Sequence, residues 1–259
     1  MAEEALPDIK NIKSQETYTL PSKGMFYTKE DGIPASITLR RMTTKEDKIR
    51  LRNQSEFTIR RDILQACIMN EGVDAGKLKL LDANFLLFRL RTISLLNDLY
   101  KVQCKCPYCG AEFIHELNLS EVPIKYMDKE KMKLFSVTLP ISQAKVTLKL
   151  PSLDDSIKAG DDYSEYIKMF PDVDPTDYLY ASTNSMYIKD VNGNHLMKEE
   201  IPNWLDGLDI LDNRALTDNI NELQDAYGFD ENIAAICPAC QNEVIHGLPI
   251  TSELFTPSK

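Results

Sequence analysis

The chain has 259 residues, 43% hydrophobic and 27% charged, which suits an ordinary globular protein with one large core or two modest ones. No apolar run approaches the roughly 18 residues of a membrane span, and the opening MAEEALPDIK is acidic and lacks the apolar segment of a secretory signal, so a protein made in a reducing cytoplasm is expected. The net charge of −10 is uneven: residues 1–101 carry 17 Lys/Arg against 14 Asp/Glu and residues 152–235 carry 5 against 19, an acidic balance that argues against a dedicated nucleic-acid binder.

Residues 1–19 are polar and irregular and read as an arm. In YTLPSKGMFY, Tyr18–Tyr27, Pro21 and Gly24 punctuate a turn between apolar and aromatic flanks, the plain pattern of a strand crossing a turn. ASITLRRMTTKEDKIRL opens on a short alternating strand, Ile37 and Leu39, and Thr43 with Glu46 spells a capping box for a helix. Eight Lys/Arg against three Asp/Glu lie between Ile37 and Arg61. They lack the interleaved aromatics that stack bases, so a solvated helix face is the simpler account. Ile59, Ile63, Ala66 and Cys67 form one helical stripe, with Cys67 read as core. DANFLLFRLRTISLLNDLY starts at Asp82, a candidate N-cap, and shows Phe85, Phe88, Ile93, Leu96 and Leu99 near a 3.6-residue period. Both segments predict helices, and the second leads directly into a cysteine motif.

That motif occurs twice. CPYCGAEFIHEL, Cys106–Leu117, and CPACQNEVIHGL, Cys237–Leu248, agree at seven of twelve positions across 131 residues. One C-x-x-C is ambiguous between redox and metal chemistry. Two C-P-x-C turns supply four thiolates, the set that tetrahedral zinc requires; iron held by four sulfurs is the lesser alternative. Cys106, Cys109, Cys237 and Cys240 are therefore the candidate ligands, and the strand formers behind each turn predict a zinc ribbon of two knuckle-and-strand units. Cys104 lies near enough to compete. His115 and His246 fall at matching positions, and as ligands they would make six candidates for four places, so hydrogen bonding across the ribbon is the simpler role. A four-cysteine site has no open coordination position and serves folding rather than catalysis.

Residues 134–150 alternate at Val137, Leu139 and Ile141 and again at Val146, Leu148 and Leu150, with SQAK between, which predicts a β-hairpin. Beyond it the chain is acidic and mainly helical. Ser152 caps one helix, DVNGNH carries an Asn-Gly turn, and two more helices around Trp204 and NRALTDNINELQDAYG end at Gly228. The acidic stretch reads as a solvated face or as a dock for a basic neighbour. No phosphate loop, H-E-x-x-H or G-x-S-x-G motif is present, and three histidines are few for acid–base work, so no enzyme and no small-molecule substrate is expected. A ribbon-based nucleic-acid adaptor and a C-x-x-C redox protein stay as alternatives.

Taken together, LPSKGMFY, the strand ending in RRMTTKED, the helix LLFRLRTISLLNDLY, the CPYC and CPAC pair and the close LPITSELFTPS resemble a known family. They are similar to the baseplate hub subunits and hub assembly chaperones of T-even-like contractile-tailed bacteriophages, above all over residues 18–117 and 232–257 and least over 152–231. The resemblance implies a non-enzymatic protein that binds other baseplate or tail hub proteins, in the host cytoplasm during assembly or in the virion tail baseplate. It also implies that Cys106, Cys109, Cys237 and Cys240 hold a structural zinc ion, and that Leu20, Pro21, Ser22, Lys23 and Gly24 form a partner contact. The expected fold is α+β: a helical N-terminal region, a four-cysteine ribbon, a β-hairpin and an acidic helical insert between the knuckles. The expected division is an arm at 1–34, a ribbon core at 35–151 plus 232–259, and the insert at 152–231.

Overall fold

The computed structural model describes residues 14–172, 174–197, 200–230 and 232–256. Of the expected arm at 1–34, residues 1–13 lie outside them and 14–34 lie within. Strand β1 (Gln15–Thr19) pairs antiparallel with β2 (Ser36–Arg40), which drives Ile37 and Leu39 inward at 0% exposure. Helix α1 (Thr44–Arg50) starts on the expected capping box: the Glu46 carboxylate accepts from the Thr43 N–H at 2.8 Å and from the Arg40 guanidinium at 2.9 Å. Helices α2 (Glu56–Cys67) and α3 (Leu80–Leu95) complete the first core. Phe85, Leu86, Leu87 and Phe88 are all buried, so α3 is covered on successive faces and sits centrally rather than on a surface.

Two expectations for α3 are corrected. Its N-cap is Lys79, and Asp82 lies inside the first turn at 0% exposure. The carboxylate is taken by a remote segment: it accepts from the Ser22 N–H at 3.1 Å and from the Tyr27 hydroxyl at 2.7 Å. Burial pushes the Asp82 pKa up against those donors. The apolar stripe also stops sooner than expected. Leu96 caps the helix in the left-handed region, and it and Leu99 are about half exposed.

Strand β3 (Leu99–Lys105) follows and pairs with β4 (Glu112–Asn118); near the C-terminus β10 (Asn232–Ile236) pairs with β11 (Glu243–Gly247). The two-residue strands β5 (Ile124–Lys125) and β9 (Gly228–Phe229) pair where the chain leaves for a second core and where it returns. Gly228 therefore belongs to a strand and not to a helix end, since α7 (Ile210–Gln224) has already stopped.

The second core is built on β6 (Ser136–Thr138), β7 (Lys145–Leu148) and β8 (Ile188–Val191), in that order and antiparallel. The expected hairpin is present, but its third strand is β8 from the acidic region, and Val146 and Leu148 are buried with Leu216, Ile220 and Leu223 of α7. Ile141, expected on the buried face, sits in the turn and is exposed, because β6 ends at Thr138 and Asp212 caps the turn through the Ile141 and Ser142 N–H groups. Helix α4 (Leu153–Met169) starts on a Ser152/Asp155 capping box; α5 (Thr176–Ser185) and α6 (Glu200–Asp206) complete the acidic helices. The Asn-Gly turn is formed with φ of 54° at Asn192 and 78° at Gly193. The fold is mixed α+β, with small antiparallel sheets.

Candidate metal centre

Each cysteine motif sits at the tip of a β-hairpin, with a strand before it as well as after. The preceding strands, LYKVQCK and NIAAI, correct the expectation that a helix runs straight into the first motif. The two tips are closed alike. The Cys106 N–H donates to the Ala111 carbonyl at 2.9 Å and the Gly110 N–H to the Cys106 carbonyl at 2.9 Å. In the second, the Cys237 N–H donates to the Asn242 carbonyl at 3.0 Å and the Gln241 N–H to the Cys237 carbonyl at 2.9 Å. The turn reverses through a left-handed residue, Gly110 at φ 74° and Gln241 at φ 61°. The glycine was a readable signal; nothing in the sequence marked Gln241 for that role.

The four sulfurs converge. Their Sγ atoms all lie within 4.8 Å of one another, with Cys106 3.6 Å from Cys240 and Cys109 3.8 Å from Cys237. A tetrahedron with metal–sulfur bonds of about 2.3 Å has sulfur–sulfur edges of about 3.8 Å. A disulfide would draw two sulfurs to about 2.05 Å, and all six cysteines are free. These two contacts run between the motifs, and Cys106 also meets Cys109 within its own C-x-x-C.

The electrostatics also fit a cation. Burial opposes the Cys106 thiolate, but N–H groups of Cys109 and Tyr108 and the thiols of Cys109 and Cys240 outweigh it and bring the group down to about 7. At Cys109 the Ala111 N–H favours the thiolate, yet the crowding sulfurs of Cys240, Cys106 and Cys237, together with burial, push it up to about 12. Four thiols so close cannot all ionise unless a positive charge stands among them. With four protein donors, a bound metal would have no open position for a substrate.

The other sequence candidates fall elsewhere. Cys104 is buried in the first core, where its thiol donates to the Val102 carbonyl at 3.7 Å, and it is outside the sulfur cluster. His115 and His246 meet across the two hairpins, Nδ1 to Nε2 at 2.8 Å, and are also outside it. Cys67 is core, and burial pushes its thiol up to about 12.

Of the LPSKG residues, Leu20, Pro21 and Ser22 are buried, Gly24 is half-buried and Lys23 is exposed. The Pro21 carbonyl accepts from the Met127 N–H at 2.9 Å, Ser22 binds Asp82, and Phe26 stacks on Tyr227 of the second core with ring centres 5.7 Å apart. Lys23 and Gly24 turn the chain in the left-handed region, where a Cβ on Gly24 would come within 3.2 Å of Ala35. The segment is thus an internal brace between the two cores, and Lys23 is the part of it most open to solvent.

The fold and site define an α+β protein whose two hairpins converge on a metal-competent set of four cysteines. Among the described residues no helix is long and apolar enough to cross a membrane. The family model for the T4 bacteriophage base plate protein matches residues 13–256, and the chain belongs to that family. No curated protein and no solved structure matches it.

Proposed function

We propose that this chain is a hub component or hub assembly chaperone of a contractile-tail baseplate. It binds other baseplate proteins, meets them in the host cytoplasm during assembly, and performs no catalysis. The four cysteines hold a structural zinc ion that pins the two hairpins together. The family match over residues 13–256 carries the baseplate reading. The sulfur cluster supports the zinc staple, because thiolate donors at tetrahedral spacing suit zinc. Convergence of four sulfurs from two motifs, rather than of one pair, weighs against a C-x-x-C redox pair.

Two measurements test this. Elemental analysis with native mass spectrometry on the purified chain should find one zinc per chain. Co-expression with the phage's other baseplate proteins should yield a stable complex on size exclusion. A metal-free folded chain with separately reactive cysteine pairs would remove the staple. Absence of any such complex would remove the hub role.

A further inference from the structure

We propose that the groove between α4 and α5 docks a basic amphipathic helix presented by a partner protein. This rests on the reading of the chain as one that binds other baseplate proteins, and it names the surface and its chemistry.

The buried residues of α4, Leu153, Ser156 and Ala159, all lie in its first half. Its second half runs on into apolar side chains left in solvent: Ile167, Met169 and Phe170 are 39%, 61% and 49% exposed. Asp162, Glu165, Tyr166, Met169 and Phe170 form one wall of a groove of about 450 Å³. Tyr178, Ala181 and Ser182 of α5 form the other, and Pro202 of α6 lies at the lining as well. Tyr166 stacks on Tyr178 with ring centres 4.1 Å apart, which ties the walls together. Both walls repeat at three- and four-residue spacing. Two such ridges leave a groove of the shape a third helix fills.

Charge selects the occupant. Residues 154–177 hold eight Asp/Glu against two Lys, and Asp162 and Glu165 stand in the lining itself. A polyanion or an acidic segment would be repelled. A bare metal ion is not the match either: among the described residues only the four cysteines form a metal-competent group. An apolar, aromatic lining with an acidic margin fits a helix that carries aliphatic or aromatic anchors on one face and Lys/Arg beside them.

The test uses the full chain and a peptide of about 18 residues, a Leu/Lys amphipathic helix with one Trp, alongside its twin with Glu for Lys. Fluorescence anisotropy should show micromolar binding of the Lys peptide, weakened by added salt, and none of the Glu twin. Met169→Asp should weaken binding about tenfold and Glu165→Lys severalfold, with the thermal midpoint unchanged because both side chains are exposed. No binding, equal binding of the two peptides, or unchanged affinity in both variants would overturn the proposal. Concentration-dependent self-association abolished by Met169→Asp would overturn it in favour of a second copy of this chain. If the Met169→Asp/Glu165→Lys double variant still co-purifies with baseplate partners, the groove fails and the baseplate reading stands. If the wild-type chain finds no partner but binds the Lys peptide, the reverse holds.

Discussion

The two cysteine hairpins share a sequence and a turn but not a foundation. The first pairs over seven positions, Leu99↔Asn118 to Lys105↔Glu112, and sinks Tyr100, Val102 and Cys104 into the first core. The second pairs over five, Asn232↔Gly247 to Ile236↔Glu243. Within its strands Ala235 and Val244 are buried, Ile233 only partly packs on the core, and Ile236 and Ile245 are 58% and 70% exposed. Val244 instead clusters with Cys106 and Cys237. One hairpin is a limb of the core; the other is clipped to it largely through the sulfurs. Identical local chemistry therefore carries different weight in two places, because burial beyond the turn differs.

The largest test of this contrast removes the clip. Cys106→Ser or Cys237→Ser should each lose the metal and its contribution, on the order of 10 kcal/mol in small zinc modules. Hydrogen exchange should then accelerate far more in residues 232–247 than in 99–118; equal acceleration would break the comparison. Cys104→Ser should keep the metal.

The next effect lies at the base of the first hairpin. Arg91, at 0% exposure, donates to the carbonyls of Leu254 at 2.8 Å, Asn97 at 2.6 Å and Leu99 at 2.7 Å. Arg91→Ala leaves these acceptors unmatched and should cost about 3–5 kcal/mol in urea unfolding, with metal retained. A loss of metal in that variant would mean that the clip depends on the core anchor.

Smaller changes probe the turns. Gly110→Ala should cost about 1–2 kcal/mol, entirely from its positive φ, since no atom lies within 4 Å of the added Cβ. Gln241→Gly should stabilise by up to about 1 kcal/mol for the converse reason. Thermal melts of the two variants should move in opposite directions.

The smallest effect is that of the histidine pair. Burial, then His246, lowers the His115 pKa below its ordinary 6.5. The unfolded chain takes up the proton first, so the contribution is complete above about pH 6.5 and is lost as pH falls below it. His115→Phe should cost about 1 kcal/mol at pH 8 and flatten that acid limb. An unchanged limb would show that the two hairpins do not communicate through this contact.

What was legible in the sequence was local. The capping boxes at Thr43/Glu46 and Ser152/Asp155 close within three residues, and the Asn192–Gly193 turn within two, so their residue types suffice. The four converging cysteines were legible because a pair of C-x-x-C turns declares both donor type and spacing. The spacing of Tyr166, Met169 and Phe170 was equally visible, but nothing in it told a buried helix face from an open one. Asp82 looked like a cap until Ser22 and Tyr27, 60 and 55 residues away, took its carboxylate. LPSKG read as a strand crossing a turn, with nothing local to show that Leu20, Pro21 and Ser22 are buried, and the hairpin at 136–148 looked like part of the cysteine-bearing region until β8 paired with it.

By itself, then, the sequence determined the helix starts at Thr43 and Ser152, the Asn192–Gly193 turn and the set of four cysteines that converge, each governed by local hydrogen bonds or donor chemistry declared by residue type. The tertiary structure alone decided which apolar faces are covered, which carboxylates are buried, and which of two like hairpins stands on the core. Those outcomes depend on burial, a non-directional force that selects its partners only once the whole chain has packed.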